Sequence, residues 1–268
     1  MLKDITLGQY FPGNTVAHKL DPRTKILLVV LYITALFCVK HLVSYGLMAL
    51  TLAVCVRISK VRVKALVRGL KPVLFIIIFT GVLNLFFTPG ERNLVELGFL
   101  KISDTGLENA VFMVVRIMLL IMGTFLMTYT TSPISLTDGL EDLLNPLKKI
   151  RVPVHELAMM MSIALRFIPT LIEETDKIMS AQKARGADFE SGNLVDKAKA
   201  LIPILVPLFI SAFRRADELA TAMECRCYHG GEGRTKLHVL KYERRDYLAL
   251  VFGAVILACV IVLRKFGL

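Results

Sequence analysis

Two arginines, Arg185 and Arg226, each stand between two small residues at the predicted end of a long helix. The two tripeptides begin 41 residues apart and read Ala184-Arg185-Gly186 and Cys225-Arg226-Cys227. A guanidinium group that projects past a helix end presents a planar fork of N–H donors, which can bind a carboxylate through two parallel hydrogen bonds. The simpler interpretation is that each arginine only offsets the negative end of the helix dipole, with Gly186 as the first residue beyond the helix.

The residues that precede the two arginines repeat as well. When Arg185 is aligned with Arg226, three earlier positions carry matching residues, namely Asp176 with Asp217, Ile178 with Leu219 and Ala181 with Ala222. An arginine that only neutralises a dipole does not require the same neighbours twice. The repeat therefore favours a binding role, in which one basic tip is presented twice to a partner that presents one acidic site twice.

Arg116 is a third candidate because it lies deep within a predicted membrane span. A central arginine costs about 2.5–3.5 kcal/mol on membrane-insertion scales, so its side chain should face protein, water or backbone carbonyls. It can serve a substrate or proton path, or it can form a polar contact between packed helices. No acidic residue lies deep in a predicted span to partner it, which favours the packing contact.

Metal binding and catalysis have little support in the sequence. Cys225, Cys227 and His229 form a C-x-C-x-H pattern, but no second ligand cluster stands at a usual spacing. The serines and histidines form no nucleophile or acid–base set, and the chain lacks the parts needed to hydrolyse ATP. We therefore expect no metal, no cofactor and no catalytic residue, which describes a non-catalytic protein.

The composition is that of an integral membrane protein. Of the 268 residues, 55% are hydrophobic, the mean hydropathy is +0.61, and the apolar residues fall in discrete runs. The net charge of +11 sits beside these runs rather than in a separate basic module, so topology and anionic lipid explain it better than nucleic acid. Polar residues interrupt the first twenty positions, and we expect no cleavable signal there.

Five membrane spans are predicted. The apolar stretch from Ile26 to Val56 is too long for one crossing of a ~30 Å core. Its length favours a tight hairpin of two short spans, with one long tilted span as the alternative. The other three are Pro72–Thr88, Leu107–Thr130 and Tyr247–Leu263. Residues 57–71 carry six cations and no anion, which marks this connection, and with it the N-terminus, as cytoplasmic.

The region between the fourth and fifth spans is too charged for ordinary spans, with 17 Lys and Arg and 16 Asp and Glu over residues 131–246. A short helix is predicted over Leu136–Leu147, with Ser135 as its cap. Two long amphipathic helices should follow, Val154–Arg185 and Pro203–Tyr228. The second shows a seam-like stripe that should pack on a partner helix and consists of Leu205, Phe209, Ala212, Ala216, Leu219 and Met223.

These patterns define the predicted organisation. Residues 1–130 should form an N-terminal membrane part with four transmembrane helices, residues 131–246 a cytoplasmic helical region, and residues 247–268 a C-terminal transmembrane helix. The fold class is an all-α membrane protein with about five transmembrane helices and amphipathic helices on the cytoplasmic side.

The chain also resembles a known family. The segments that carry the resemblance are Gly8-Gln9-Tyr10, Pro12-Gly13-Asn14, Leu20-Asp21-Pro22-Arg23-Thr24-Lys25, Leu165-Arg166-Phe167-Ile168-Pro169 and the paired tripeptides that end in Gly186 and Cys227. Together they are similar to the T component, the transmembrane scaffold of energy-coupling-factor (ECF) vitamin transporters within the ATP-binding cassette class. The resemblance covers essentially the whole chain.

The resemblance implies a role for the two long helices. They would be cytoplasmic coupling helices whose terminal arginines each bind one of two ATPase subunits, while a small membrane S component carries the substrate and rests on their apolar faces. Ala184, Arg185 and Gly186 match the family tripeptide, whereas at the second copy only Arg226 matches. Two alternatives remain, a stand-alone secondary transporter with Arg116 in its path and a membrane-embedded enzyme with a metal at Cys225 and Cys227.

Overall fold

A computed structural model describes residues 10–87, 93–97, 100–187, 189, 193–231 and 239–266. Within these ranges the chain is helical apart from one short hairpin of strands. The helices are α1 Val16–Lys19, α2 Pro22–Cys38, α3 Leu42–Ser59, α4 Val63–Leu70, α5 Leu74–Phe87, α6 Asp104–Thr130, α7 Pro133–Leu144, α8 Val154–Ala184, α9 Leu194–Cys225 and α10 Arg244–Phe266, and the strands are β1 Asn93–Leu97 and β2 Leu100–Ser103. Short 3₁₀ segments, Lys71–Val73 and Asn145–Ile150, follow α4 and α7.

The helices form two compact units. One unit, here called the bundle unit, contains the described residues of Gly8–Gly139 and Leu240–Leu268. The other, the arm unit, contains those of Leu140–Val239 and consists mainly of α8 and α9. The last helix, α10, belongs to the bundle unit, where it packs on α2 and α3.

The helices confirm an all-α membrane protein. Five are long and apolar enough to cross a bilayer, namely Leu42–Ser59, Val63–Phe86, Gly106–Thr130, Val154–Ala184 and Arg244–Phe266. The predicted hairpin over 26–56 is confirmed as two helices, because α2 ends at Cys38 and α3 begins at Leu42. Helix α2 has 17 residues and is therefore shorter than a usual span. Helix α8 is counted among the five because its first half is apolar.

Two connections contain features that were missed or misplaced in the sequence analysis. The polar connection over 89–106 contains the antiparallel β1–β2 hairpin, in which Glu96 pairs with Lys101. The short helix predicted from Leu136 with Ser135 as cap was placed too late, since α7 begins at Pro133. Ser132 precedes α7 and its hydroxyl accepts a 3.1 Å hydrogen bond from the Ser135 amide, while proline is well suited to the first helical position.

The start of α2 explains the Asp-Pro-Arg sequence. The Asp21 carboxylate accepts a 2.9 Å hydrogen bond from the backbone N–H of Arg23 and so caps the helix, with Pro22 at the first helical position. The Arg23 guanidinium turns back onto the same carboxylate through two bonds of 3.1 and 2.9 Å. It also stacks over the ring of Tyr242, 4.2 Å from its centre, which joins α2 to the segment before α10.

Asp246 fixes α2 and α10 to each other. Its side chain is buried, at 2% exposure, and accepts 2.8 Å hydrogen bonds from the backbone N–H groups of Asp21 and Glu243. The bond to Glu243 is half of a capping box at the start of α10, and the bond to Asp21 reaches across 225 residues of sequence. One carboxylate therefore serves two helix starts.

Four helix ends meet at the same end of the bundle unit. The buried Lys25 near the start of α2 donates a 2.8 Å hydrogen bond to the carbonyl of Thr130, the last residue of α6. Asp246 brings the start of α10 to the same place, and the Thr15 hydroxyl lies 3.4 Å from the Ser59 carbonyl at the end of α3. We call this the basic end, because the six cations of residues 57–71 follow the end of α3.

The core of the bundle unit lies among α2, α3, α6 and α10. Its buried members are Ala35, Leu36, Val39, Tyr45, Met48, Leu52, Leu119 and Val260. Gly123 of α6 allows close approach of α2, since a Cβ there would lie 2.4 Å from the Tyr32 ring. Close packing of this kind orders the helices without long polar networks inside the bilayer.

Replacing Asp246 with alanine should destabilise the bundle unit. One buried and one partly buried backbone donor would lose their acceptor. Leaving a buried donor unpaired costs about 1–3 kcal/mol, so we expect about 3 kcal/mol in total. Denaturation of the purified full chain in detergent measures the change. The control is Glu243→Ala, because that side chain is exposed and makes only a 3.9 Å contact with Arg245. Equal stability of Asp246→Ala and wild type would contradict the assigned role.

Candidate site: two arginine-tipped helices

The two predicted long helices are present with one corrected start. Helix α8 spans Val154–Ala184, within one residue of the prediction, and continues through Pro169. Helix α9 begins at Leu194 rather than at Pro203. A reciprocal capping box of Asn193 and Asp196 starts it, and prolines 203 and 207 lie inside the helix. The prediction was wrong because proline was taken as a helix start where a stronger cap stood ten residues earlier.

Helices α8 and α9 pack in opposite directions. Three contacts show the direction of packing, in order along α8. The Tyr228 hydroxyl, just beyond the end of α9, bonds to the Met159 sulfur (3.3 Å), Arg215 bonds to Glu174 (2.9 Å), and the Gln182 side-chain amide bonds to the Pro203 carbonyl (3.3 Å). As the residue number rises along α8, the number of its partner falls along α9. The pair is therefore antiparallel, and the two C-terminal ends point away from each other.

The middle contact joins equivalent positions of the internal repeat. Glu174 lies eleven residues before Arg185, and Arg215 lies eleven residues before Arg226, so the ion pair has the same 41-residue separation as the two tips. A contact between equivalent positions is what a local two-fold arrangement produces. This pair was not predicted, although the repeat spacing combined with opposite charges contained the signal.

The predicted seam of α9 is correct at two of the three positions in its second half, and at Leu205 and Phe209 in its first half it is shifted by one residue. Leu219 and Met223 are partly buried, as predicted. Leu205 and Phe209 were expected in the seam but are 45% and 59% exposed, while Ile204 is only 4% exposed. The apolar surface of α9 is wider than one seam, so the 3- and 4-residue steps fitted two neighbouring faces. Ala216, also placed in the seam, is exposed.

A second apolar face of α9 is exposed within the described structure. Phe209 and Phe213 stack with their ring centres 6.5 Å apart. The exposed large side chains on this half of the helix are Leu201, Ile202, Leu205, Val206, Phe209, Ile210 and Phe213. An apolar face of this extent is typical of a contact with another protein or with lipid.

Helix α8 ends in a Schellman motif with Arg185 as its C-cap. The amide of Gly186 donates a 3.0 Å bond to the Lys183 carbonyl, and the amide of Ala187 donates a 3.0 Å bond to the Gln182 carbonyl. Gly186 has a φ of 86°, the left-handed conformation that this motif requires. The simpler sequence interpretation thus describes the backbone correctly, and the guanidinium remains free to act beyond it.

Helix α9 ends in the same motif although it has no glycine. The amide of Cys227 donates a 2.8 Å bond to the Glu224 carbonyl, and the amide of Tyr228 donates a 3.1 Å bond to the Met223 carbonyl. Cys227 has a φ of 54°, so a cysteine takes the conformation that glycine takes in the first copy. Arg226 is the C-cap here, as Arg185 is in α8.

Both arginine side chains are exposed. Within the described residues, neither forms an ion pair with an acidic side chain. Each tip lies eleven residues beyond the central ion pair, which corresponds to about 16 Å along a helix at 1.5 Å per residue. Because the helices are antiparallel, the guanidinium groups occupy opposite ends of the arm unit, separated by up to about 33 Å plus the length of the side chains.

Arg116 and the cysteines that flank the second tip are the remaining site candidates. Arg116, in the bundle unit, donates a 3.0 Å bond to the Tyr45 hydroxyl and a 3.1 Å bond to the Val39 carbonyl, where α2 ends. These are the hydroxyl and backbone partners expected of a packing contact. Cys225 and Cys227 are exposed free thiols, and the described residues contain no group of three or more potential metal ligands.

Comparisons with known proteins agree with this architecture. The family described as "Cobalt transport protein" (CbiQ) matches residues 13–237. A protein of Clostridium kluyveri is 55% identical over 266 residues, 99% of this chain and 98% of the relative. Proteins of Ruminiclostridium cellulolyticum and Bacillus subtilis are 53% and 47% identical over 263 and 264 residues, each 98% of this chain, with 98% and 100% of the relatives covered. All three relatives are named energy-coupling factor transporter transmembrane protein EcfT.

The fold and the site define a class, a multi-pass all-α membrane protein that carries a pair of antiparallel helices with arginine tips. The extent of the match then defines the family. The chain belongs to the CbiQ family of transport proteins, and its relatives over the full length are transmembrane components of energy-coupling factor transporters.

The two Schellman motifs should respond oppositely to substitution. Gly186→Ala places a Cβ in the left-handed region and should destabilise the end of α8 by about 1 kcal/mol, whereas Cys227→Gly should stabilise the end of α9 by about 0.5–1 kcal/mol. Amide hydrogen exchange near each helix end measures both. Cys225→Ala, which lies within the helix, is the control and should change little. Faster exchange in Cys227→Gly would contradict the assigned strain.

The central ion pair should couple α8 to α9. A double-mutant cycle of Glu174→Ala and Arg215→Ala, measured by denaturation of the full chain, should give a coupling of about 0.5–1 kcal/mol because the pair is partly exposed. The matched cycle uses Glu173→Ala and Arg214→Ala, which carry the same charges one residue earlier and are exposed. Its coupling should be close to zero. Equal coupling energies in both cycles would show that the ion pair between Glu174 and Arg215 does not specifically join α8 to α9.

Proposed function

We propose that this chain is the energy-coupling transmembrane subunit of an ATP-driven importer of the ECF type. It would link two ATPase subunits to a membrane S component that binds the substrate. The observation that carries the proposal is the pair of exposed arginines at opposite ends of one antiparallel helix pair, set by identical backbone motifs. The names of the full-length relatives support it.

Each arginine would bind one ATPase. A guanidinium at a C-cap has its backbone fixed by two hydrogen bonds of the Schellman motif, so the fork projects from a rigid support. Its ligand would be a carboxylate, which takes two parallel hydrogen bonds from the fork. Since the two tips point away from each other, one ATPase cannot bind both through a single groove, and two copies of the same groove would satisfy both.

Movement of the ATPases would be transmitted through the crossing of α8 and α9. When nucleotide binding brings the two ATPases together, the tips would be displaced relative to each other, and the ion pair between Glu174 and Arg215 lies near the midpoint between them. The helices would then change their crossing angle or slide. The exposed apolar face that includes Phe209 and Phe213 would carry the S component and transmit this displacement to it.

The basic end of the bundle unit would face the cytoplasm. The starts of α2 and α10 and the ends of α3 and α6 meet there, beside six cations without an anion over residues 57–71. The chain leaves the bundle unit after α6 and returns to it at α10, both at this end. The region 131–246, with both arginine tips, would thus lie on the cytoplasmic side with the N-terminus. Helix α8, although long and apolar enough to span the bilayer, would then not cross it.

The chain itself would catalyse no reaction. ATP binding and hydrolysis would take place in the partner subunits, and the substrate would be selected by the S component. Arg116 supports this view rather than a stand-alone transport path, since its guanidinium is bonded to a backbone carbonyl and a tyrosine hydroxyl that fix the α2–α3 turn.

Charge reversal at the two tips tests the proposal. Arg185→Glu and Arg226→Glu should each weaken the binding of one ATPase by at least about tenfold. An arginine buried in an interface typically contributes about 2 kcal/mol or more to the binding free energy. The double variant should abolish assembly and uptake. Co-purification of the ATPases from membranes and vitamin uptake by cells measure the two effects.

The matched control reverses two cations elsewhere on the same helices. Lys177→Glu and Arg214→Glu change the net charge equally, and both side chains are exposed away from the tips. The control double variant should assemble and transport. Substitution of both tip arginines by lysine should give an intermediate loss, because charge is kept and the fork is lost. Undiminished assembly and uptake in Arg185→Glu/Arg226→Glu would refute the proposal.

A further inference from the structure

Two adjoining cavities at the basic end of the bundle unit have opposite chemical character. The first, here called the head pocket, has a volume of about 800 Å³ and lies between the N-terminal segment and the turn after α3. Its polar lining residues include Thr15, His18, Lys60 and Arg62. The second, the tail cleft, has a volume of about 500 Å³ and lies among α2, α3, α6 and α10.

The head pocket is a formed structure rather than a gap between loops. His18 is bonded through both ring nitrogens, at 2.6 Å to the Thr15 hydroxyl and at 3.0 Å to the Phe11 carbonyl. Gly13 lets the backbone pass close to this ring, since a Cβ there would lie 2.9 Å from it. The same Thr15 hydroxyl lies 3.4 Å from the Ser59 carbonyl, which places the end of α3 at the opposite wall. The wall that contains His18 is thus fixed by hydrogen bonds.

The charge of the head pocket is positive. Among the described residues that line it, Lys60 and Arg62 are cationic and none is acidic. Lys60 is held at the C-cap of α3 in the left-handed conformation, with a φ of 53°. Its side chain therefore leaves the helix at a defined point, next to Arg62. This is the arrangement expected of a site for a phosphate group.

The tail cleft is apolar and adjoins the head pocket. Val16 and Ile58 line both cavities, so the two share a boundary. The walls of the cleft are mostly aliphatic and aromatic, and Leu248 and Phe252 on its rim are exposed on the surface that would meet lipid. Its charged members, Lys25 and Arg245, come from the starts of α2 and α10 and thus lie at the basic end.

We propose that the two cavities form one binding site for an anionic phospholipid of the cytoplasmic leaflet. The phosphate-bearing head group would occupy the head pocket beside Lys60 and Arg62, and an acyl chain would fill the tail cleft. A soluble anion would leave the apolar cleft empty, and a zwitterionic lipid would gain less from the cations. A ligand that satisfies both the cations of the head pocket and the apolar tail cleft needs a negatively charged head group and an acyl chain, as an anionic lipid has.

Occupation of this site would support the bundle unit. The acyl chain would contact α2, α3, α6 and α10 together, whose ends are joined at this point by the hydrogen bonds of Lys25 and Asp246. The site is separate from the arginine tips, all its lining residues lying in the bundle unit. Lipid binding at this site therefore does not depend on the coupling role of the tips, whereas its assignment to the cytoplasmic leaflet rests on the proposed orientation of the basic end.

A single engineered tryptophan can report on the cleft, because the chain contains none. Phe252→Trp places the fluorophore at the tail cleft, and Phe75→Trp places it on α5, 77% exposed and outside both cavities. The full chain is reconstituted into phosphatidylcholine vesicles that contain a small fraction of one brominated lipid, either phosphatidylglycerol or phosphatidylcholine. The bromine atoms on the acyl chains quench the fluorescence of a nearby tryptophan. Brominated phosphatidylglycerol should quench Phe252→Trp with an apparent affinity at least about fivefold above that of brominated phosphatidylcholine. Phe75→Trp should show no such preference.

Removal of the pocket charges should remove the preference. In the Phe252→Trp background, Lys60→Asn and Arg62→Gln should each lower the preference for brominated phosphatidylglycerol by up to about fivefold, which would abolish it. Asparagine is chosen at position 60 because it tolerates the left-handed conformation. The matched controls, Lys64→Gln and Arg68→Gln, each remove one charge from the same segment but from side chains outside both cavities, and they should retain the preference.

Two results would overturn the proposal. One is equal quenching of Phe252→Trp by the two brominated lipids. The other is an equal loss of preference in the pocket variants and in the controls, which would show a diffuse attraction of the basic end rather than a site. Circular dichroism of every variant, with unchanged helix content, ensures that neither result reflects misfolding.

Discussion

The antiparallel pairing of α8 and α9 through equivalent positions is the constraint on which the candidate site depends. If the two helices ran parallel, both arginine tips would lie side by side and would meet one partner surface. The order of contacts from Met159–Tyr228 through Glu174–Arg215 to Gln182–Pro203 excludes that arrangement. The ion pair lies at the same repeat position in both helices, so the two tips are equally far from it. Geometry of this kind serves two identical partners better than one.

A second constraint acts at the basic end of the bundle unit. Burying the Asp246 carboxylate is favourable only because two backbone donors satisfy it, and both belong to residues at or before helix starts. The same carboxylate therefore fixes the position of α10 against α2 and caps α10. Lys25 joins α6 to this group in a similar way through the Thr130 carbonyl. The end of the bundle from which the chain departs and to which it returns is thus held by polar bonds, whereas its centre is held by apolar packing.

Much of this architecture could be predicted from the sequence, and the misses have physical causes. The hairpin of α2 and α3, the long helix α8 and the C-cap role of Arg185 follow from hydropathy, periodicity and a glycine after the last turn. The start of α9 could not be found by treating Pro203 as a boundary, because the capping box at Asn193 and Asp196 decided it. The seam of α9 was half wrong because a helix with two apolar faces fits two registers equally well. The direction of α8 relative to α9 depends on contacts distant in sequence, which periodicity does not encode.

The second arginine tip shows which part of the tripeptide sets its geometry. A pattern based on Ala-Arg-Gly would reject the Cys225-Arg226-Cys227 copy, since two of its three residues differ. Yet the hydrogen bonds from Cys227 and Tyr228 reproduce those from Gly186 and Ala187 at the first tip, and the left-handed conformation is kept at the cost of a Cβ. The backbone motif, rather than the flanking residue types, therefore fixes the arginine at the C-cap. Under the proposed function, small flanks would matter for another reason, because they would leave the guanidinium accessible to a groove of the partner.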